Sequence, residues 1–196
     1  MGRIRTSASD PLRIDSIRPY DRLSLIGMTI CPGKHGWSIY GDEWRRNLKD
    51  DLQTIKEWGA DILVTLMEKE EMQALKVHDL GRNCELLGID WYHLPIRDVS
   101  IPDGSFEQKW NYAGIRLGEA LRHGRNVLIH CRGGLGRSGI IAARLLIESG
   151  WPPESAITKV RKVRPGAIET AQQENYVLAC KTKSERQKTV LNRIAA

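Results

Sequence analysis

The sequence predicts an α/β domain built on a central, mostly parallel sheet with helices on both faces. Three observations lead there. Four short apolar runs, at residues 23–30, 61–66, 89–94 and 126–130, each have the length and composition of a buried strand. The segments between them carry apolar residues at helical spacing, so strand and helix patterns alternate, the mark of parallel strands joined by helical crossovers. The chain of 196 residues is also long enough to bury a sizeable core.

Residues 1–20 are polar, hold Pro11 and Pro19 and show no periodicity, so an irregular lead-in is expected. Strand 23–30 is broken by the turn Cys31-Pro32-Gly33-Lys34-His35-Gly36. Trp37, Tyr40 and Trp44, near Arg45 and Arg46, read as caps of the core; a rim around a substrate is the other reading. Trp44, Leu48, Leu52, Ile55 and Trp58 share one helical face, which Gly59 ends. After strand 61–66 comes a charged helical stretch from Glu68 to about Val77, and Glu85-Leu86-Leu87-Gly88 closes a further short helix. Strand 89–94 runs into a proline-bearing stretch, residues 95–103, with the character of a mobile flap. Ser105-x-x-Gln108 reads as a capping box opening a helix to about His123, with Trp110, Ala113, Leu117, Ala120 and Leu121 on its inner side. Strand 126–130 follows, then a core-facing helical run over 140–147. Gly150-Trp151-Pro152-Pro153 breaks the chain ahead of a helix over 154–163, Thr170-x-x-Gln173 forms another capping box, and residues 183–196 are a charged tail.

The most informative stretch is His130-Cys131-Arg132-Gly133-Gly134-Leu135-Gly136-Arg137-Ser138-Gly139, where a buried strand meets a helix across a glycine-rich turn. Backbone amides at a helix start have no intrahelical partners, and the helix dipole adds positive charge at the same point. Gly133, Gly134 and Gly136 can take positive φ, so the amides of residues 132–136, Leu135 included, can converge on one oxyanion. Arg137 adds a planar fork that fits two oxygens at once. Cys131, among those donors, is favoured as thiolate and so as a nucleophile. An inert buried thiol is the bland alternative. A nucleotide-binding loop would need a Gly-Lys-Ser/Thr ending that is absent.

Chemistry on a phosphate ester also needs a proton donor for the leaving oxygen, and a carboxylic acid on a flap can supply it. Asp98 is one candidate donor, with a solvated turn carboxylate as its bland reading. Asp103 is the rival, with helix-dipole compensation as its structural reading. His130 is expected to shape the turn by hydrogen bonding to backbone, and Ser138 either caps the helix or acts beside Cys131.

The spacing Cys-x5-Arg-Ser resembles the signature of the cysteine-dependent protein tyrosine and dual-specificity phosphatases, and its Gly-Gly-Leu-Gly filling is most similar to their kinase-associated subfamily. The likeness extends over residues 23–179: a Pro-Gly turn, the Arg46-Asn47 pair opening a helix, a glycine, then a short buried strand. Low-molecular-weight phosphatases and arsenate reductases carry Cys-x5-Arg near the N-terminus, whereas here two-thirds of the chain precedes it. The resemblance implies the tyrosine-phosphatase fold, a catalytic domain over residues 21–182, and hydrolysis through a cysteinyl-phosphate. It implies Asp98 as general acid, Ser138 assisting departure of the thiolate, and Gln173 positioning the attacking water. Glu169 stands where classical tyrosine phosphatases carry a glutamine. No cofactor and no metal is expected, because the arginine and the amides supply the positive field.

Composition narrows the partners. The net charge of +6 is spread among acidic residues, which suits a phosphorylated protein, with phosphotyrosine, phosphothreonine or phosphoserine, and argues for no nucleic acid. No apolar run approaches membrane-spanning length. Four cysteines without a pairing rhythm point to a reducing compartment, the cytoplasm. A non-protein phosphate, such as a phosphoinositide or an RNA 5′ end, and a catalytically silent phosphate-binding module are the alternatives.

Overall fold

Side chains of a strand alternate between the faces of its sheet, and a parallel sheet covered on both sides therefore needs apolar residues at consecutive positions. The computed structural model, which describes residues 2–20, 24–38 and 41–180, uses the apolar runs in this way. Its elements are β1 (Ile4–Arg5), β2 (Asp15–Ile17), β3 (Ile26–Thr29), β4 (His35–Trp37), β5 (Glu43–Arg45), α1 (Leu48–Glu57), β6 (Ile62–Thr65), α2 (Lys69–Ala74), α3 (Leu80–Leu86), β7 (Asp90–His93), α4 (Gly104–Arg122), β8 (Val127–His130), α5 (Gly136–Glu148), α6 (Pro153–Val163) and α7 (Ala171–Leu178). The main sheet has the order β2-β3-β8-β6-β7. All its neighbours are parallel except β2, which pairs antiparallel with β3.

On one face Ile26, Met28, Ile62, Val64, Val127 and Ile129 join Leu117 of α4, Ile141 and Leu145 of α5 and Val160 of α6 in one core. On the other, Leu63 and Leu128 meet Leu52 and Ile55 of α1, Met72 of α2 and Leu80 of α3. At Gly27 the alternation calls for an apolar side chain on that second face. None fits, because a Cβ there would lie 2.7 Å from Leu128 and 2.9 Å from Trp58, whose ring fills the space. The α/β architecture with a mostly parallel, doubly covered sheet is thus as expected. Among the described residues no helix is long and apolar enough to cross a membrane.

Four differences from the sequence reading have physical causes. The lead-in over 1–20 is not irregular: β2 extends the main sheet, and β1 joins β5 and β4 in a second, three-stranded sheet. These strands are two or three residues long, and β2 and β5 mix polar with apolar residues, so no periodicity announces them; pairing with a formed sheet is what holds them extended. Trp44 lies on β5 and not on the face of α1, which starts at Leu48 with Asn47 as its N-cap. The cap of α4 is Asp103, whose carboxylate accepts from the Phe106 amide at 2.8 Å, so Ser105 lies inside the helix. The charged stretch after β6 stops at Ala74, where the chain turns through Lys76 at φ 59°. Residues 183–196 and Tyr40 lie outside the described residues, as does Leu23.

Candidate active site

Because β3, β8, β6 and β7 are parallel, their carboxyl ends share one edge of the sheet, where open α/β sheets place ligands. Four connections meet there: the turn after β3, the entry to α2, the 94–103 loop after β7 and the glycine turn after β8.

The last of these is the centre. β8 is wholly buried and ends at His130, and α5 opens at Gly136, so residues 131–135 wrap the helix mouth. Cys131 is buried with its Sγ turned into that curl. The Gly134 amide donates to Sγ at 3.2 Å and the Ser138 hydroxyl lies 3.6 Å from it. Ser138 is in the first turn of α5 and does not cap it. The glycines differ in what they contribute. Gly134 needs its freedom, with φ 66° and no room for a Cβ, which would fall 2.3 Å from the Thr29 carbonyl oxygen. Gly136 keeps an ordinary negative φ and is required for space, since a Cβ would meet Glu169 Oε2 at 2.3 Å. Gly133 is neither strained nor crowded, so the expectation of positive φ at all three holds for Gly134 alone.

Arg137 is 2 % exposed and fully engaged. Its fork grips both carboxylate oxygens of Glu71 on α2, at 2.6 and 2.9 Å, and donates to the Ile96 carbonyl at 3.0 Å. The same guanidinium lies 2.8 Å from Asp98 Oδ1. Burial pushes the Glu71 carboxyl up, but the Arg137 hydrogen bonds and the Glu68 amide outweigh it and hold it below the usual range. Burial acts against the Arg137 cation, and the Glu71 hydrogen bonds raise its pKa in spite of that.

Asp98 stands on the 94–103 loop with its side chain 47 % exposed. The loop's first half is anchored, since the Leu94 and Ile96 amides donate to Thr65 and Leu66 carbonyls at 3.0 Å. Its second half turns sharply: Ser100 N donates to Arg97 O at 3.1 Å, and Val99 sits at φ 56°, a costly conformation for an exposed β-branched residue. Asp103, spent on capping α4, takes no part in the cleft.

His130 is buried among apolar neighbours, and its Nε2 meets Thr65 Oγ1 at 2.7 Å. Trp91 Nε1 donates to that same hydroxyl at 2.8 Å. Thr65 thus joins the Trp91 indole to the imidazole, and burial pushes the ring's pKa down to about 3. His130 is held through the Thr65 side chain and not by the expected backbone hydrogen bond, and its Nδ1 is buried without a partner among the described residues.

Gln173 is fully buried and both ends of its amide are used. Oε1 accepts from the Glu169 amide at 2.9 Å and Nε2 donates to the Ser100 carbonyl at 3.3 Å, tying α7 to the Asp98 loop. The Thr170 cap on Gln173 N is present as well, at 3.1 Å.

A cleft of about 550 Å³ opens over Cys131, bounded by Lys34, Trp37, Trp44, Asp98, Arg132 and Glu169. Trp37 is 67 % exposed and Trp44 lies between the Lys34 and Arg5 cations, 4.2 and 5.2 Å from its ring centre. Both belong to the rim and neither caps the core. Sequence reasoning missed Glu71, Lys34 and Arg164. Glu71 sits in a run of charges on a short helix, with nothing to separate it from Glu68 and Glu70. Lys34 sits in a turn where a cation reads as solvated, yet it is buried. Among the described residues no cluster of His, Cys, Asp and Glu is arranged to hold a metal ion.

Comparison with known proteins adds an independent line. Residues 39–151 match the family described as "Polymorphic toxin system, DSP-PTPase phosphatase". The chain is 36 % identical over 157 residues to cyclin-dependent kinase inhibitor 3 of Rattus norvegicus, covering 78 % of this chain and 70 % of that protein. To protein tyrosine phosphatase type IVA 3 of Homo sapiens it is 31 % identical over 122 residues, 62 % and 65 % of the two chains. Among solved structures, kinase associated phosphatase with its catalytic site cysteine replaced by serine superposes with a TM-score of 0.75 at 29 % identity, over 91 % of this chain and 96 % of that one.

Proposed function

The chain belongs to the cysteine-dependent dual-specificity and tyrosine phosphatases, and from that premise we propose how its own residues carry the reaction and on what. The enzyme is a cysteine-based phosphomonoester hydrolase working through a cysteinyl-phosphate. Cys131 is the nucleophile. The observation that supports this assignment above all others is its Sγ inside the curl, 3.2 Å from the Gly134 amide and 3.6 Å from the Ser138 hydroxyl, at the positive end of α5.

In the first step the sulfur attacks phosphorus in line. The S–P bond forms as the P–O bond to the leaving group breaks, and the amides of Arg132, Gly133, Gly134, Leu135 and Gly136 with Arg137 hold the equatorial oxygens. Asp98 gives its proton to the departing oxygen. A substrate phosphate competes with Asp98 for the Arg137 guanidinium; once released from the ion pair, the carboxylate takes up a proton from solvent and holds it beside the leaving oxygen. In the second step water attacks the cysteinyl-phosphate, Asp98 takes its proton, and Ser138 steadies the thiolate that leaves. Glu169 lines the cleft and is placed to orient that water; Gln173 acts beneath it by holding the Asp98 loop.

The substrate is a phosphorylated protein, with phosphotyrosine, phosphothreonine or phosphoserine presented at a rim of Trp37, Trp44 and Val99. Four free thiols support a reducing compartment, the cytoplasm. A second reading, a small polyanion such as a phosphoinositide, is favoured only by Lys34 and Arg132, which add cations to the cleft. Hydrolysis of a panel of phosphotyrosyl, phosphothreonyl and phosphoseryl peptides beside soluble inositol phosphates tests the assignment. Turnover of peptides that Cys131→Ser abolishes is expected; turnover confined to the inositol phosphates would overturn the protein-substrate reading.

A further inference from the structure

A loop that aims its amides inward at an oxyanion turns its carbonyls outward, and outward carbonyls under a folded domain need donors of their own. Three such carbonyls follow Cys131, and each has one. Arg132 O accepts from Lys34 Nζ at 3.3 Å and from the Cys31 amide at 3.4 Å. Gly133 O accepts from Arg164 at 3.5 Å, and Gly134 O accepts from Arg164 Nε. Both cations are more than nine-tenths buried, at 7 % and 8 % exposure. Neither lies in the Cys-x5-Arg-Ser stretch. Each is braced from elements before α1: Arg164 donates to Asp15 of β2 at 2.7 Å, and the Lys34 ammonium lies 4.2 Å over the Trp44 ring of β5.

Burying a cation is expensive, and a neutral donor would satisfy a carbonyl without that cost. Lys34 forms no ion pair with a carboxylate among the described residues, and burial lowers its pKa to about 8, with the neighbouring Arg46 and Arg132 cations pushing the same way. A charged lysine kept there in spite of the penalty points to a use for its field beside the nucleophile.

We propose that Lys34 and Arg164 are positioning residues for dephosphorylation: from behind the loop they hold the Arg132, Gly133 and Gly134 carbonyls outward, so that the amides stay aimed at the phosphate. The small strands of the first 45 residues thereby belong to the catalytic apparatus. This rests on the phosphatase reading above.

Tungstate, an inert oxyanion, is the probe, with its dissociation constant measured by competition against para-nitrophenyl phosphate and by direct titration of the Cys131→Ser form. Lys34→Met keeps the packing on Trp44 and loses the ammonium. Arg164→Lys keeps charge and loses the fork, and Asp15→Asn with Arg164→Met removes both partners of the buried pair. Each is expected to weaken tungstate binding about tenfold and to lower kcat/KM with it, with Lys34→Arg recovering most of the loss. The thermal transition of Lys34→Met should stay near that of the parent, which a merely structural role would not combine with weaker oxyanion binding. Parental tungstate affinity in folded Lys34→Met and Arg164→Lys overturns the proposal, whatever becomes of the double variant. A parent that neither binds tungstate nor turns over ester sinks the phosphatase reading along with it, and that result is distinguishable from unaffected variants of an active parent.

Discussion

Arg137 spends its fork on Glu71 and is still within 2.8 Å of Asp98, so one guanidinium is shared between a carboxylate that fixes it and a carboxylate it must give up. The first is half-buried on α2; the second stands at the mouth of the cleft. Replacing Glu71 by Gln keeps a single acceptor and loses the two-point grip, so Arg137 is held mainly by the Ile96 carbonyl and Asp98. We expect kcat/KM to fall about tenfold, equivalent to roughly 1.4 kcal/mol of transition-state stabilisation, in steady-state assays with a phosphopeptide.

Asp98→Asn removes the proton donor and the competitor for Arg137 together. A loss in kcat of about 10²–10⁴ is expected for peptide substrates with poor leaving groups. Tungstate should bind more tightly than to the parent, because the oxyanion no longer displaces a carboxylate. Weaker binding in Asp98→Asn would contradict the shared-guanidinium geometry.

Cys131→Ser should abolish turnover of para-nitrophenyl phosphate while leaving tungstate binding measurable. Parental activity should survive EDTA, since the positive field comes from Arg137 and the loop amides. Loss of activity on chelation, restored by a divalent cation, would count against the mechanism.

Stability should depend on His130 in acid. Its folded pKa, about 3, lies below the unfolded value near 6.5, so between those limits the unfolded chain binds a proton that the folded chain does not. Stability therefore falls as pH drops from about 6.5 toward 3, by up to about 1.4 kcal/mol per unit from this residue. Glu71, held low by Arg137, loses its contribution in the same direction as pH falls through its folded pKa. Urea midpoints from pH 7 to 3 should show a shallower slope in His130→Asn than in the parent, although the variant starts less stable.

Arg144 on α5 is buried against Glu107 at 2.6 and 2.7 Å and Glu148 at 3.2 Å, over the ring of Trp110 at 4.8 Å, and it also donates to the Tyr176 hydroxyl. Arg144→Met leaves those carboxylates without their cation. A loss of roughly 3 kcal/mol is expected, the low end for breaking a buried pair because Glu107 is partly exposed. Calorimetric melting should register it while kcat/KM changes little, since no atom of Arg144 reaches the cleft.

The four parallel strands, the helices that cover them and the turn from Cys131 to Ser138 were all legible in the chain. Each rests on local physics: consecutive apolar residues in short runs, helical spacing, glycines beside a helix start. The same local terms misjudged what short range does not decide. Asp15-Ser16-Ile17 carries no strand pattern because pairing with β3 is what makes it a strand. Ser105 and Asp103 are both competent caps, and it is the Asp103 carboxylate that accepts from the Phe106 amide. Val99 gives no sign of a left-handed turn; its neighbours impose one.

By itself the sequence determined the reaction class, because Cys131, the glycine-turn amides and Arg137, to which we assign the chemistry, are contiguous in the chain and a strand-to-helix turn has few ways to arrange them. Only the tertiary structure decided what holds them in place. Glu71, Lys34 and Arg164 come from a short helix, a turn and a helix end, separated from Cys131 by up to 97 positions along the chain. Their charges say nothing of where they point until the parallel strands bring all their carboxyl ends to one edge. There, burial turns three ordinary surface-type side chains into partners of the loop and of the helix start behind it, because a charge removed from water must find a hydrogen-bonding partner nearby.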